Sequence, residues 1–298
     1  MNNGADFMSS YQHILGVFSP YLSSQHALIK ALFLADKSKS KLTLIQLTTP
    51  KFNFMKSTNN STDMQPLAEN EDLIFQYQNL GLEIEIKEVK SNSVSTEVLA
   101  EIEQAQYDLV IVNYKHHHPI FHEFFFAEEW SLLRQKQISV MLVGDKQWQH
   151  EGNILTAIET DDTSEQHINF NKKLLDDSEE IASLLDNNIH LINCFHNNNL
   201  SMEVSISNST DNHRDTKAQH WLDLIDSAQD YDLEDEQLHL IEGLPDHIIP
   251  TIAEQYHVNM VIVGASEHQG WLSQLKGHTS EQIIDQLHCD ILAIKPTL

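Results

Sequence analysis

The sequence predicts an α/β protein: a tandem of two domains, each a doubly wound five-stranded parallel sheet with helices on both faces. Three observations predict it. The 298-residue chain repeats itself, with late and closing apolar runs recurring at one spacing of about 151 residues. Those runs are near-continuous and rich in β-branched residues, the pattern of strands buried on both faces. Helix-period segments fall between them, and strands alternating with helices imply βαβ units around a parallel sheet.

The first half opens on the apolar run 13–18 (His13-Ile14-Leu15-Gly16-Val17-Phe18). Residues 51–70 are rich in Asn, Ser and Thr; they read as a loop or lid after the second strand, or as disorder without function. A helical pattern covers 95–104, a late buried strand 107–112 and a closing strand 138–143. The boundary is expected near 148–152. The second half repeats the order, with an opening run at 153–158 and a second polar stretch at 197–216, in the matching place. A helix follows over 245–255, with Pro245 suited to its first turn and Asp246 at the positive end of its dipole. The late and closing strands are 259–264 and 289–294. The domains are therefore expected at residues 8–148 and 152–298.

Composition narrows the function. Hydrophobic residues make up 41%, enough for packed cores. With 44 acidic and 18 basic residues the formal net charge is −26, which repels phosphate backbones and anionic membranes. Neither nucleic acid nor a membrane is an expected partner. The 18 histidines would gain charge below pH ~6.5 and offset part of that acidity. Cys194 and Cys289 sit in no CxxC pair, which fits a reduced compartment. No signal peptide and no apolar run near ~20 residues is evident, so the cytoplasm is expected by elimination.

Residues around the second late strand carry a more specific signal. They run Val263-Gly264-Ala265-Ser266-Glu267-His268-Gln269-Gly270, then Lys276-Gly277-His278-Thr279-Ser280-Glu281. The chain then reaches Cys289-Asp290-Ile291-Leu292-Ala293-Ile294-Lys295-Pro296. This resembles the universal stress protein family, whose ATP-binding members carry G-x2-G-x9-G-[ST] between the fourth strand and fourth helix. The resemblance covers nearly the whole chain, including Glu242-Gly243-Leu244-Pro245, Trp130-Ser131-Leu132-Leu133-Arg134 and Asp145-Lys146-Gln147-Trp148. It implies the adenine nucleotide alpha hydrolase-like fold in each half, and an ATP, ADP or AMP site in the second half. The residues it points to are Glu159, Gly264, Glu267, Gly277, His278 and Thr279. The physical logic is independent of the family. Glycines after a strand let the backbone approach phosphates, and a following helix start offers free N–H donors.

The sequence departs from the family pattern at three places. Glu267 stands at the second glycine of the motif, a carboxylate where phosphates would pass. His278 stands at the Ser/Thr after the last glycine, with Thr279 next. Glu159 stands where binding members end the first strand on an Asp, and is one methylene longer. Two readings stay open: a nucleotide site with altered contacts, or glycines that only make tight turns and a helix start. Gly270 adds flexibility to the segment.

The first half has no glycine at the matching positions, Asn113-Tyr114-Lys115-His116-His117-His118-Pro119, and Ser19 stands in place of the first-strand acid. Phe121, Phe124, Phe125 and Phe126 make the region apolar. A filled pocket, a pocket for an apolar ligand and a partner surface are the three readings. His116, His117, His118, His122 and Glu123 have zinc-type chemistry, but Pro119 interrupts them, and a solvated loop is the expectation, with no metal. Glu267 with His278 is an acid–base pair in principle, yet no nucleophile elbow or Walker loop accompanies it, so a non-enzyme is expected. The resemblance also implies antiparallel pairing of 138–143 with 291–295 inside the chain, and is compatible with a homodimer. The rival functions are a nucleotide-independent interaction scaffold and a carrier of a small apolar ligand through the first half.

Overall fold

A computed structural model of the chain describes residues 9–20, 25–48, 65–91, 93–114, 138–195, 209–265 and 286–296. It divides into two compact units, Met1–Gln147 and Trp148–Leu298.

The first unit contains β1 (His13–Phe18), α1 (His26–Ser38), β2 (Lys41–Leu47), α2 (Gln65–Asn79), β3 (Ile84–Val89), α3 (Val94–Ile102), β4 (Leu109–Asn113) and β5 (Ser139–Val143). All neighbouring strands are parallel, in the order β3-β2-β1-β4-β5. The central strands are buried nearly throughout, which is why their sequences are apolar without alternation. β3 lies at the edge and none of its residues is fully buried, with Ile86 exposed. Helix α1 lies close on β1: a Cβ on Gly16 would stand 2.9 Å from Leu44 Cδ2 and 3.1 Å from Ala31 Cβ.

The second unit repeats this plan with β6 (Asn153–Ile158), α4 (Glu165–Leu185), β7 (Asn188–Phe195), α5 (Ser209–Ala228), a 3-10 turn (Asp235–Gln237), β8 (Leu238–Glu242), α6 (Pro245–Gln255), β9 (Met260–Gly264) and β10 (Asp290–Ile294). The order is β8-β7-β6-β9-β10, again all parallel. The fold class is the one the sequence predicts. The repetition extends to small features. α1 and α4 both end on a left-handed residue, Lys39 (φ 58°) and Asp186 (φ 54°), whose amides return to Ala35 O and Ala182 O.

Two expectations change. The polar stretches 51–70 and 197–216 are not loops throughout, because α2 starts at Gln65 and α5 at Ser209. Asn, Ser and Thr favour helix starts as well as loops. The buried residues Ile74 in α2, and Leu224 and Ala228 in α5, lie further along and anchor both helices. Residues 51–64 and 197–208 lie outside the described residues. Tyr107, read as the start of a strand, precedes β4 and donates its hydroxyl to Glu101 Oε1 at 2.6 Å. Lys87 Nζ meets the same carboxylate oxygen at 2.7 Å. Burial raises the Glu101 pKa, but these two bonds and the Lys87 charge outweigh it and hold the carboxyl below its usual value.

Candidate functional site

In the second unit, β6 has β7 on one side and β9 on the other. The chain order therefore reverses between β6 and β9, and a crevice outside the carboxyl ends of such strands is where open α/β sheets place ligands. β6 leaves the sheet at Glu159, Thr160 and Asp161, and β9 leaves at Gly264. Ala157 pairs with Val263, so the two exits lie side by side.

The turn after β6 is built by short polar side chains. Asp162 Oδ1 accepts from the Ser164 amide at 2.8 Å, which holds the exposed Asp162 carboxyl below its usual pKa. Ser164 caps α4 by accepting from the His167 amide. The helix then presents His167, Phe170, Asn171 and Leu174 to the strand ends. His167 Nε2 donates to the Glu159 carbonyl at 2.8 Å, and Asn171 Nδ2 donates to the same oxygen at 2.6 Å. On the β7 side, Asn193 Nδ2 donates to Thr160 Oγ1. His220 of α5 places Nδ1 at 3.2 Å from Thr160 Oγ1 and 3.3 Å from Asp161 Oδ1.

Beside this turn lies a cleft of about 660 Å³, its open mouth included. Its wall carries Glu159, Thr160 and Asp161 from the strand exit and His167 and Phe170 from α4. Cys194 of β7 and Pro245 and Ile249 of α6 complete it. Burial first, and then the negative charge of Asp246, push the Cys194 thiol up to about 12, so the sulfur stays protonated and is a poor nucleophile. His167 Nδ1 and Asp246 Oδ1 are buried and make no hydrogen bond.

Of the six residues read from the sequence as a site, Glu159 lines this cleft. Gly264 ends β9, buried, aligned with Ile294 of β10, and is not among the lining residues. Glu267, Gly277, His278 and Thr279 lie outside the described residues, as do the histidines 116–118 and 122, Glu123 and the phenylalanines 121 and 124–126. Sequence reasoning missed Thr160, His167, Asn171, Asn193 and His220. His167 and Asn171 leave a faint trace, being polar and four apart on a helix whose Phe170 and Leu174 are buried.

The first unit treats the matching place differently. The Ser19 carbonyl accepts from Gln25 Nε2 at 2.9 Å, much as the Glu159 carbonyl is held by α4. Asn113, which ends β4 where Gly264 ends β9, accepts from the Ala27 amide at 2.9 Å. The Asn113 side chain thus satisfies an N–H at the start of α1 that the helix itself leaves unbonded.

Residues 153–295 match the universal stress protein family. Over the whole length, the chain is 28% identical to universal stress protein E of Escherichia coli K12, covering 97% of this chain and 95% of that one. It is 26% identical to universal stress protein E of Photorhabdus laumondii, covering 97% and 96%. Among solved structures, a functionally unknown protein of Pseudomonas aeruginosa PAO1 superposes with a TM-score of 0.75 at 21% identity, covering 97% of this chain and 94% of that one. A universal stress protein of Archaeoglobus fulgidus superposes with a TM-score of 0.58 at 12% identity, covering 95% and 96%. The last two speak to fold alone.

Proposed function

Because this chain belongs to the universal stress protein family, we propose that it is a non-catalytic stress-response protein whose second unit binds an adenine nucleotide. ATP, ADP and AMP are the ligands in view. The observation that carries the reading is the cleft at the carboxyl end of β6, beside the strand reversal, with Glu159 on its wall. In this reading Gly264, Glu267, Gly277, His278 and Thr279 contribute the phosphate side. The first unit does not bind nucleotide in the same manner in this reading, since no glycine stands at its matching positions 113–119 and Ser19 replaces the first-strand acid.

Binding rather than catalysis is the reading because the cleft's sulfur is held as a thiol and its imidazole His167 is tied to a backbone carbonyl. We place the protein in the cytoplasm. Both cysteines are free, and among the described residues no helix is long and apolar enough to cross a membrane.

Thermal unfolding with each nucleotide tests this. At a ligand concentration of roughly 100 times the dissociation constant, stabilisation should be about 2.7 kcal/mol. Absence of any shift with millimolar ATP, ADP and AMP overturns the nucleotide reading. It then favours an interaction scaffold, the reading supported by the carboxylate of Glu267 at a motif glycine.

A further inference from the structure

We propose that the outer edge of β8 and the groove beside it dock a basic, extended peptide segment, which adds to the sheet of the second unit as a further strand. This groove shares no lining residue with the cleft at Glu159, and its occupation needs no nucleotide.

Among the described residues, β8 pairs with β7 and with no other strand. The Gly243 amide donates to Phe195 O at 3.1 Å and continues that ladder past the end of β8. Backbone polar groups alternate sides along a strand. His239 and Ile241 therefore turn theirs to β7, while Leu238, Leu240 and Glu242 turn theirs outward. The Leu238 amide folds back onto Asp235 O. Leu240 keeps both groups: among the described residues its outward N–H and C=O have no hydrogen-bond partner. Such an edge is a template for another strand. A groove of about 640 Å³, its open mouth included, lies beside it. Leu238, His239, Leu240 and Ile241 all line this groove, with Lys217 and Trp221 of α5. Successive side chains of a strand point to opposite faces, so a groove touching four in a row follows the edge rather than one face.

The edge strand of the first unit is guarded. β3 carries Glu85, Lys87 and Glu88, and Glu85 lies 3.5 Å from Lys41 Nζ and 3.7 Å from Lys87 Nζ. Charges of that kind discourage a further strand. β8 is charged only at its last residue, Glu242. The charge around β8 selects the partner. From residue 218 to residue 244 the chain holds eight acidic residues and no lysine or arginine. Glu234, Asp235 and Glu236 lead into β8, and Lys217 is the one lysine or arginine on the groove wall. A segment alternating apolar and basic residues meets each of these features. Its main chain bonds to Leu240, its apolar side chains pack on Trp221 and Ile241, and its lysines or arginines face the acids. An acidic segment of the same pattern is repelled.

Calorimetric titration of the full chain, without nucleotide, tests this with a short blocked peptide of alternating lysine and valine. The peptide should bind. The same peptide with D-valine throughout keeps the charge and composition but cannot form the pleated strand, and should bind about tenfold more weakly. A glutamate–valine peptide should bind at least as weakly as that. Leu240→Pro removes the outward N–H and leaves the β7 ladder whole, because that N–H takes no part in it. It should weaken the lysine–valine peptide about tenfold while the melting transition persists. Trp221→Ala, which leaves the strand untouched, should weaken it similarly and carries the test if Leu240→Pro does not fold. No binding of the lysine–valine peptide overturns the proposal. Equal binding of the L- and D-valine peptides also overturns it, since the attraction would then be one of charge alone. Binding of the glutamate–valine peptide as tight as that of the lysine–valine peptide overturns the choice of a basic partner. Wild-type affinity in folded Leu240→Pro, or in Trp221→Ala, removes the site from β8.

Discussion

His190 of β7 and His239 of β8 stand on adjacent strands with Nδ1 and Nε2 3.0 Å apart, sharing one hydrogen bond. The Tyr256 ring packs against both imidazoles, at 4.6 and 4.7 Å between centroids. Burial, and then the neighbouring imidazole, push His239 down to about 4; burial lowers His190 as well. A histidine with a lowered folded pKa is neutral in the folded state while the unfolded chain takes up a proton near pH 6.5. Its contribution to stability is therefore fully present above about 6.5 and is lost as pH falls toward 4. Urea unfolding at pH 7.5 and 5.5 should show wild type losing more stability on acidification than His239→Gln. An equal loss in both proteins contradicts the assignment. The same residue-scale chemistry governs the cleft. His167, tied through Nε2 to the Glu159 carbonyl, has its Nδ1 buried without a hydrogen-bond partner.

At the scale of elements, the segment leading into β6 is held by a clasp. Asn259, just before β9, accepts from the Gln149 amide at 2.9 Å and donates Nδ2 to the Gln149 carbonyl at 2.8 Å. Gly152 sits directly against this pair: a Cβ there would collide with Asn259 Nδ2 and stand 3.0 Å from Gln149 O. Gly152→Ala must break the clasp or move the start of β6, and should cost about 1–3 kcal/mol in chemical denaturation. A variant as stable as wild type would show that the segment gives way freely. The apolar runs marked most strands to within a residue or two, because burial on both faces leaves a signal in the run itself. The polar starts of α2 and α5 were not legible. Helix formation there depends on Ile74, Leu224 and Ala228 finding the sheet, and local composition cannot report that.

For the whole molecule, the net charge of −26 works against compactness. Raising sodium chloride from about 0.01 M to about 0.15 M shortens the screening length from about 30 Å to about 8 Å. The melting temperature should rise over that range; a fall would mean that attractive pairs outweigh the self-repulsion. The sequence by itself determined the tandem, the parallel α/β class and the family resemblance, because periodicity and repetition are properties of the chain read in order. It also singled out Glu159, which lies on the wall of the cleft. Only the tertiary structure decided that Thr160, His167, Asn193 and His220, carried on four different segments, converge on one strand end. Only it showed that Asn113 reaches across 86 positions to the amide of Ala27 and fills in the first unit a place that ends on Gly264 in the second. The physical reason is that a hydrogen bond depends on distance in space, and one sequence without its fold carries no measure of that distance.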